Sequence, residues 1–312
     1  MNQADAPRTP KRGGIGEGRD RLQSRLLVGI AGAVLAVEAA LVLRGTAGVA
    51  REFPAHVAGV VAISMGFAVV VRLLRAATVG GAVCGALVCL VLTGATGWTT
   101  EPVWRSGLLP LFCLFVLTFL ATRAGRERKR RHGLEESRRG RSAAQVLANL
   151  AVAAMCVSPL AEWLLRRWGA PPSAGVSFAD LWFAAAMKTA ALAALAEAAA
   201  DTLASEVGQA FGGTPILVTA WQRVPPGTDG AISVLGTASG VVGAAVVAAV
   251  GGWAMHLGAF SAALAGGCGV LGLFADTVLG ATVERRGWMG NDLVNFASTL
   301  AAALAALVLM RP

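Results

Sequence analysis

The sequence predicts an all-α protein, a polytopic membrane helix bundle of about nine transmembrane helices. Hydrophobic residues make up 55% of its 312 residues and charged residues only 14%, whereas a soluble domain usually carries about 25% charged residues. The mean hydropathy is +0.64. Because so few charges cannot cover a water-facing surface of this size, we expect most of the chain to lie in a membrane.

The cysteines argue against a zinc-binding or disulfide-rich protein, and the distribution of charge argues against a nucleic-acid-binding protein. The five cysteines stand singly in apolar runs, without a CxxC motif or a Cys/His pairing. We therefore expect small buried residues rather than a zinc site or a disulfide framework. The net charge of +9 is concentrated in two blocks. Basic blocks beside membrane spans more often set topology and contact anionic lipids, so membrane lipids are expected partners and nucleic acid is not.

Nine apolar runs follow a basic tail, residues 1–25, which we expect to be disordered. A helix needs about 20 apolar residues to cross the hydrocarbon core. The predicted spans are 26–43, 55–74, 78–94, 107–122, 143–165, 178–200, 231–252, 257–281 and 292–310. The fifth contains Gln145, Asn149 and Pro159, so it either crosses the membrane fully or is partly interfacial or broken.

Positive charge predicts that the N-terminus is cytoplasmic. In this orientation the inside loops hold six basic residues in the tail and nine between Arg123 and Arg141. We therefore divide the rest of the chain into an N-terminal four-helix membrane region (26–122), a basic cytoplasmic loop (123–142) and a C-terminal membrane region (143–312). The first region is expected to be an anchoring or lipid-shaping bundle, whereas the last holds nearly all the polar residues and is expected to carry the active site. The protein is expected to be a multi-pass protein of a bacterial inner membrane or a plastid membrane.

Acidic residues occur at the ends of the late spans, where a carboxylate at membrane depth is costly and usually has a partner or a function. In Glu197–Gly208 (EAAADTLASEVG), Asp201 and Glu206 lie with hydroxyl-bearing side chains at one end of a helix. Asp276 lies near the end of the eighth span, and Asp292 opens the ninth. Such carboxylates suit Mg²⁺; alternatively, they belong to helix ends that emerge into water.

The segment Pro215–Ser233 (PILVTAWQRVPPGTDGAIS) is predicted to be a loop, because its Pro-Pro-Gly sequence cannot continue a helix. A Gly/Thr loop that enters a helix exposes backbone N–H groups that suit phosphate. The backbone of Gly227 and Thr228 is therefore a candidate phosphate-binding site. Asp229 has two interpretations, a role in catalysis or the N-cap of the following helix.

A polar stripe leads into the fifth span. Arg141, Gln145 and Asn149 repeat every four residues, which favours either contact with nucleotide or phosphate, or hydrogen bonding between helices. Lys188 lies well inside the sixth span. It is expected to meet a phosphate, pair with a carboxylate or extend to the membrane interface.

Under the nine-span topology these groups lie at one face of the membrane. The fifth span begins there, the sixth ends, the seventh begins, the eighth ends and the ninth begins with Asn291 and Asn295 in its first turns. The sequence therefore predicts a single polar site at the cytoplasmic membrane surface.

Five motifs, RSAAQVLAN, ADTLASEVG, PILVTAWQRVPPGTDGAIS, DTVLGATVE and GNDLVNF, resemble those of a known membrane family. This family contains plant and cyanobacterial phytyl-phosphate kinase and animal transmembrane protein 19. The resemblance covers roughly residues 140–300, with the motifs in order. Leu203, Ala231 and Leu273 depart from the residues usual in the family, but none of these departures removes a carboxylate.

The resemblance implies a prenyl-phosphate kinase. Such an enzyme transfers a phosphoryl group from a nucleoside triphosphate, with CTP favoured, to phytyl or a related isoprenoid monophosphate, and the diphosphate feeds tocopherol biosynthesis. We assign catalysis to Asp201, Glu206, Asp229 and Asp276, and Mg²⁺ binding to Asp201, Glu206, Asp276 and Asp292. The candidate ligands of phosphate and nucleotide are Lys188, Arg223, Gly227, Thr228, Arg141, Gln145, Asn149, Asn291 and Asn295.

The chemistry of such a reaction agrees with this architecture. A long isoprenoid tail needs a bilayer-facing groove between helices, while its phosphate and the donor need a wet, cation-bearing end. Phosphoryl transfer mainly requires positioning and charge neutralisation. The alternatives are a secondary transporter of a small anion or lipid, a cytidylyltransferase that forms a CDP-lipid, and a structural protein. A transporter usually has its site near the midplane between repeats, whereas the polar residues here gather at helix ends.

Overall fold

The computed structural model describes residues 15–52, 54–97, 101–131, 133–134, 140–161, 163 and 178–311. It confirms an all-α membrane bundle. Its helices are α1 (Glu17–Glu52), α2 (Pro54–Leu73), α3 (Val79–Thr96), α4 (Leu108–Arg123), α5 (Arg126–Arg131), α6 (Ala143–Cys156), α7 (Phe178–Phe211), α8 (Val234–Ala254), α9 (Ala259–Leu279) and α10 (Asn291–Leu309).

Seven helices in the described part of the chain are long and apolar enough to cross a membrane, namely α1, α2, α3 and α7 to α10. The other two apolar helices are shorter, because α4 has 16 residues and α6 has 14. Each of the nine apolar helices falls on one of the nine predicted spans, in order. The number that crosses the membrane, and the cytoplasmic N-terminus, stay predictions.

Two boundaries differ from those expected. Helix α1 begins at Glu17, so the predicted disordered tail is too long at its C-terminal end, and its first 14 residues lie outside the described residues. The side chains of Arg19 and Gln23 donate hydrogen bonds to the carbonyl oxygens of Gly287 (3.0 Å) and Trp288 (2.9 Å). The polar first turns of α1 thus pack against the segment before α10, and this packing explains why they are helical. The last part of the predicted fifth span also lies outside the described residues, apart from Trp163.

Helix α7 is the centre of the bundle. It packs against α4, α6, α8, α9 and α10, and its residues from 190 to 200 are buried. The reason is its alanine-rich sequence, because small side chains let neighbouring helices approach closely. Helices α7 and α8 are in close contact at Gly240 of α8, because a Cβ at this position would lie only 2.8 Å from the carbonyl oxygen of Ala200.

Helix α6 joins the two halves of the chain. It packs against α1 and α3 on one side and against α7 and α10 on the other. The turn between α2 and α3 is also tied to the segment before α6, because the Arg141 N–H donates to the Ala76 oxygen (2.9 Å) and the Thr78 N–H to the Arg141 oxygen (3.0 Å). The N-terminal helices are therefore held against the beginning of α6.

The loop between α7 and α8 contains a small antiparallel sheet that the sequence did not predict. Its two-residue strands are β1 (Ile216–Leu217), β2 (Gln222–Arg223) and β3 (Ala231–Ile232), in the order β2-β1-β3. Ile216 pairs with Arg223 and with Ile232. The sheet closes the loop on itself and fixes the residues between β2 and β3 over the end of the bundle.

Candidate functional site

A polar pocket of about 260 Å³ lies where six parts of the chain meet. They are the start of α6, the C-terminal half of α7, the α7–α8 loop, the first turn of α8, the end of α9 with the residues that follow it, and the start of α10. Eleven of the fourteen residues singled out in the sequence line it, namely Arg141, Gln145, Asn149, Asp201, Glu206, Gly227, Thr228, Asp229, Asp276, Asn291 and Asn295. The structure thus brings these motifs to one place, while their roles stay predictions.

Two carboxylates lie close together in the wall of the pocket. Asp201 of α7 and Asp276 of α9 lie side by side, within hydrogen-bonding reach of each other. One oxygen of Asp276, Oδ1, is buried and has no hydrogen-bond partner among the described residues. A buried, unpartnered carboxylate oxygen is energetically costly unless a ligand satisfies it. The pair is therefore the strongest candidate for binding a cation or a protonated group.

Glu197 extends this acidic group toward the middle of the bundle. It lies one helical turn before Asp201 on α7, and only 1% of its surface is exposed. Neither of its carboxylate oxygens has a hydrogen-bond partner in the described part of the molecule. The sequence placed Glu197 in the same acidic motif, but only the structure shows its depth of burial.

Glu206 lies at the edge of the pocket and has a basic partner. It forms an ion pair with Lys129 of α5, and it accepts a hydrogen bond from the Thr122 hydroxyl (3.3 Å). The Lys129 ammonium also donates to the Thr122 carbonyl oxygen (2.8 Å). Sequence reasoning missed Lys129, because it lies within an arginine-rich run that indicated only topology. In this structure the Glu206 carboxylate is therefore occupied by Lys129 and Thr122, and its role as a metal ligand stays a prediction.

The polar stripe at the start of α6 has mixed roles. Ser142 caps the helix, with a capping box in which Gln145 Oε1 accepts a hydrogen bond from the Ser142 N–H (2.8 Å). Gln145 therefore lines the pocket, but its side-chain oxygen stabilises the helix end. Asn149 is buried and donates to the Gln145 carbonyl oxygen (2.8 Å). Arg141 donates to the Thr202 hydroxyl of α7 (3.3 Å) and lies near enough to Asp201 for their charges to interact.

The α7–α8 loop is held tightly over the pocket. Gly227 and Gly230 have φ values of +82° and +72°, a backbone conformation that favours glycine. Gly230 packs directly against the backbone of Ala281, so there is no room there for a Cβ. The N-cap of α8 is Ser233, so the interpretation of Asp229 as the cap of this helix is wrong. Asp229 instead lines the pocket.

Helix α9 ends in a short π-helix, Gly280–Glu284. The wider turn follows the Asp276 position and brings Glu284 to the pocket wall. A π-helical turn is an uncommon conformation that often occurs at functional sites. Nothing in the sequence indicated it.

Three of the predicted residues lie outside the polar pocket. Lys188 is 13 residues before Asp201 on α7, or about 20 Å along the helix axis. Arg223 lies in the exposed strand β2. Asp292 accepts a hydrogen bond from the Ser24 hydroxyl of α1 (2.6 Å). These three side chains therefore do not line the polar pocket in this structure.

Among the residues that the structure describes, no group of three or more His, Cys, Asp or Glu side chains is arranged to hold a metal ion. The predicted set of four carboxylate ligands is thus not assembled. With Glu206 paired to Lys129 and Asp292 to Ser24, the adjacent carboxylates are Asp201 and Asp276. A metal ion at this pair would need its remaining ligands from substrate and water.

The fold and the pocket define a multi-pass integral membrane protein with a polar site at one end of its bundle. The chain belongs to the integral membrane protein family DUF92, whose sequence model matches residues 62–303. This match confirms the membrane family that the motifs indicated.

Relatives come from archaea, cyanobacteria and plants. An uncharacterized membrane protein, MJ0933, of Methanocaldococcus jannaschii is 30% identical over 203 residues, which cover 65% of this chain and 75% of that protein. The uncharacterized membrane protein sll0875 of Synechocystis is 34% identical over 209 residues, covering 65% and 73%. The chloroplastic protein VTE6 of Arabidopsis thaliana is 26% identical over 216 residues, covering 67% and 61%. No solved structure matches this chain.

Proposed function

We propose that the protein is a prenyl-phosphate kinase. It transfers the terminal phosphoryl group of a nucleoside triphosphate, CTP being favoured, to phytyl or a related isoprenoid monophosphate. The observation that carries the proposal is the Asp201–Asp276 pair, with an unpartnered buried oxygen, in a polar pocket at the end of a membrane bundle. The family resemblance, which includes phytyl-phosphate kinases, supplies the substrate class.

The reaction needs little covalent help from the protein. An oxygen of the lipid phosphate attacks the terminal phosphorus of the donor, and the bond from that phosphorus to the bridging oxygen breaks. The products are the isoprenoid diphosphate and the nucleoside diphosphate. Because the lipid phosphate is already an anion, no strong general base is required, and catalysis depends on positioning and charge neutralisation.

Asp201 and Asp276 fit a Mg²⁺ ion. Mg²⁺ commonly binds proteins through one or two carboxylates and takes its other ligands from substrate phosphates and water. The unpartnered Oδ1 of Asp276 is an oxygen that such an ion would satisfy. When bound, Mg²⁺ neutralises negative charge on the transferred phosphoryl group.

The rest of the pocket suits phosphates. The loop that contains Gly227, Thr228 and Gly230 lines the pocket, and consecutive backbone N–H groups in such loops bind anions. Arg141 brings a positive charge to the same pocket. A donor phosphate held between them would lie beside the carboxylate pair. Asn149, Asn291 and Asn295 add amide groups around the same space.

Activity is tested with purified protein in detergent or vesicles. Phytyl, geranylgeranyl and farnesyl monophosphates are each incubated with CTP, ATP or UTP, and the lipid and nucleotide products are identified. We expect an isoprenoid diphosphate and a nucleoside diphosphate. A CDP-lipid with pyrophosphate would establish a cytidylyltransferase instead, and no product with any pair would contradict the proposal.

Asp276→Asn tests the carboxylate pair. Removing one ligand from a transition-state charge clamp costs about 3 kcal/mol, or roughly a hundredfold in rate. Asp180→Asn is the matched control, since Asp180 lies in the first turn of α7, at the end away from the pocket. The Asp201→Asn and Asp276→Asn double variant should lose far less than the product of the single losses, because the two residues act as a unit. Near-normal turnover by both single variants over a Mg²⁺ titration would remove the proposed mechanism.

A further inference from the structure

A second, larger cavity lies beside the polar pocket. Its volume is about 800 Å³, within the range of about 300–1,000 Å³ that is typical of ligand pockets. It is bounded by the four apolar helices α2, α3, α4 and α6 and by the short basic helix α5, with Ala198 of α7 also in its wall. Three of these four helices belong to the region that the sequence predicted to be an anchoring or lipid-shaping bundle.

The cavity changes from apolar to basic along its length. Helix α4 shows the change, because residues spaced along one of its faces line the cavity from Leu111 and Leu114 through Thr118 to Arg123. Leu111 and Arg123 are twelve residues apart on the helix, or about 18 Å. Phe67 of α2 adds to the apolar part. The cavity is therefore a deep apolar slot with a polar mouth.

The mouth is strongly basic. Its described lining residues include one acidic residue, Glu127, and six basic residues, namely Arg75, Arg123, Arg126, Lys129, Arg130 and Arg141. Glu127 forms a salt bridge with Arg130 (2.8 Å). Lys129 is in addition paired with Glu206 of α7. Among the described lining residues the basic side chains still outnumber the acidic one, and this excess of positive charge favours an anionic group at the mouth.

The local backbone holds two of these arginines together. Gly140 has a φ of +77° and packs so closely on the backbone of Arg75 and Ala76 that no Cβ would fit. Its neighbour Arg141 is hydrogen-bonded to the turn between α2 and α3 through its N–H and its carbonyl group. Arg75 and Arg141 are thereby kept at the same mouth.

The cavity and the polar pocket share a wall. Arg141 and Asn149 line both of them. A molecule with its anionic end at the mouth of the cavity would therefore present that end to the pocket that contains Asp201 and Asp276. This continuity distinguishes the cavity from a groove that merely holds a bilayer lipid.

We infer that this cavity binds the isoprenoid monophosphate. The prenyl chain lies between α2, α3, α4 and α6, and the phosphate lies at the basic mouth next to Arg141. The inference deepens the proposed kinase function and rests on it for the identity of the headgroup. The N-terminal helices thus supply the binding site of the acceptor lipid, and the C-terminal helices supply the carboxylates.

Filling the cavity should shorten the prenyl chain that the protein accepts. Thr118 is buried in the cavity wall, whereas Leu120, two residues on, is 58% exposed and does not line it. Thr118→Phe should weaken the binding and turnover of phytyl monophosphate about tenfold or more, an effect of the size seen for overpacked sites. Turnover of the shorter geranyl monophosphate should be retained, which also shows that the variant is folded. Leu120→Phe is the control and should leave both lipids unaffected.

The basic mouth is tested with a second pair of variants. Arg75 lines the cavity and Arg72 does not, although both are exposed arginines at the same end of α2. Arg75→Gln should weaken the binding of radiolabelled phytyl monophosphate about tenfold, because a charged hydrogen bond to phosphate is lost, with no change for uncharged phytol. Arg72→Gln should bind both as the wild type does.

The outcomes separate this inference from the proposed kinase activity. Binding is measured without nucleotide, so that it does not depend on turnover. Saturable binding of phytyl monophosphate that Thr118→Phe weakens, in a protein that forms no diphosphate, would support the cavity and contradict the kinase. Equal effects of Thr118→Phe and Leu120→Phe in an active enzyme would overturn the cavity while leaving the kinase intact. Competition by bilayer phospholipids as strong as that by unlabelled phytyl monophosphate would also overturn it.

Discussion

The Lys129–Glu206 ion pair gives the sharpest test of how the N-terminal and C-terminal helices are joined. Lys129 belongs to the short basic helix α5, and Glu206 to the central helix α7. The side chain of Lys129 is 3% exposed and that of Glu206 is 13% exposed. Breaking a buried pair by removing one partner costs about 3–5 kcal/mol, because the other charge stays buried without compensation.

The two single variants should lower the free energy of unfolding by different amounts. Glu206→Gln leaves the Lys129 ammonium almost completely buried, although the carbonyl oxygens of Ala121 and Thr122 still accept hydrogen bonds from it. We expect a loss of about 3 kcal/mol, the lower end of that range. Lys129→Met leaves a carboxylate that borders the polar pocket and can be hydrated there, so its cost should be about 1–2 kcal/mol.

The double variant distinguishes an ion pair from a metal ligand. If Glu206 acts mainly as the partner of Lys129, the Lys129→Met and Glu206→Gln double variant should recover most of the stability that Glu206→Gln loses. The measurement is the free energy of unfolding of all four proteins in mixed detergent micelles, with the Mg²⁺ dependence of activity alongside. Additive losses of stability would refute the pairing. A Mg²⁺ requirement that shifts with Glu206→Gln and is not restored in the double variant would return Glu206 to the role of metal ligand.

Three further outcomes are expected. Gly213→Ala should cost about 1 kcal/mol through left-handed backbone strain alone, whereas Gly230→Ala, which also meets the Ala281 backbone, should cost about 3 kcal/mol or more in the unfolding free energy. Ser233→Ala should cost about 1 kcal/mol by removing the N-cap of α8, while Asp229→Asn should leave that stability unchanged; equal losses would make Asp229 the cap. Lys188→Ala should retain phosphoryl transfer, because Lys188 lies outside the polar pocket, and a large loss of activity would contradict its placement.

The helices of the fold were accessible from the sequence because each is a separate apolar run. The predicted spans 231–252 and 257–281 correspond to α8 (Val234–Ala254) and α9 (Ala259–Leu279). The sixth span was predicted to end at residue 200, but α7 continues to Phe211. Hydropathy marks where a helix leaves the apolar environment, and it does not mark where the helix ends. The acidic motif therefore lies on a helical extension of α7.

Part of the arrangement of the pocket could also be predicted from the sequence, because the order of the apolar runs sets the direction of each helix. Alternating helix directions bring Asp201 and Asp276 to one end of the bundle whichever side of the membrane that end faces. Contacts between residues far apart in the sequence could not be predicted. The pattern of the arginine-rich run does not show which of its basic residues reaches Glu206, and in the structure it is Lys129. The pairing of Asp292 with Ser24 was hidden likewise, because it requires a polar segment to be helical and to pack against α10.

In the proposed reaction, the distribution of charge requires both halves of the chain. Asp201 and Asp276 come from the C-terminal helices, and in the proposed reaction two phosphate-bearing substrates meet beside them. Two unit charges 4 Å apart interact by about 4 kcal/mol at an effective dielectric constant of about 20, so carboxylates alone would repel both substrates. The opposing charge comes mostly from the basic residues between α4 and α6 and from the turn after α2. Arg141 stands where the two sets meet, since it lines both spaces. A C-terminal half without the N-terminal helices would therefore keep its acidic residues and lose the cations and the apolar slot that the acceptor lipid requires.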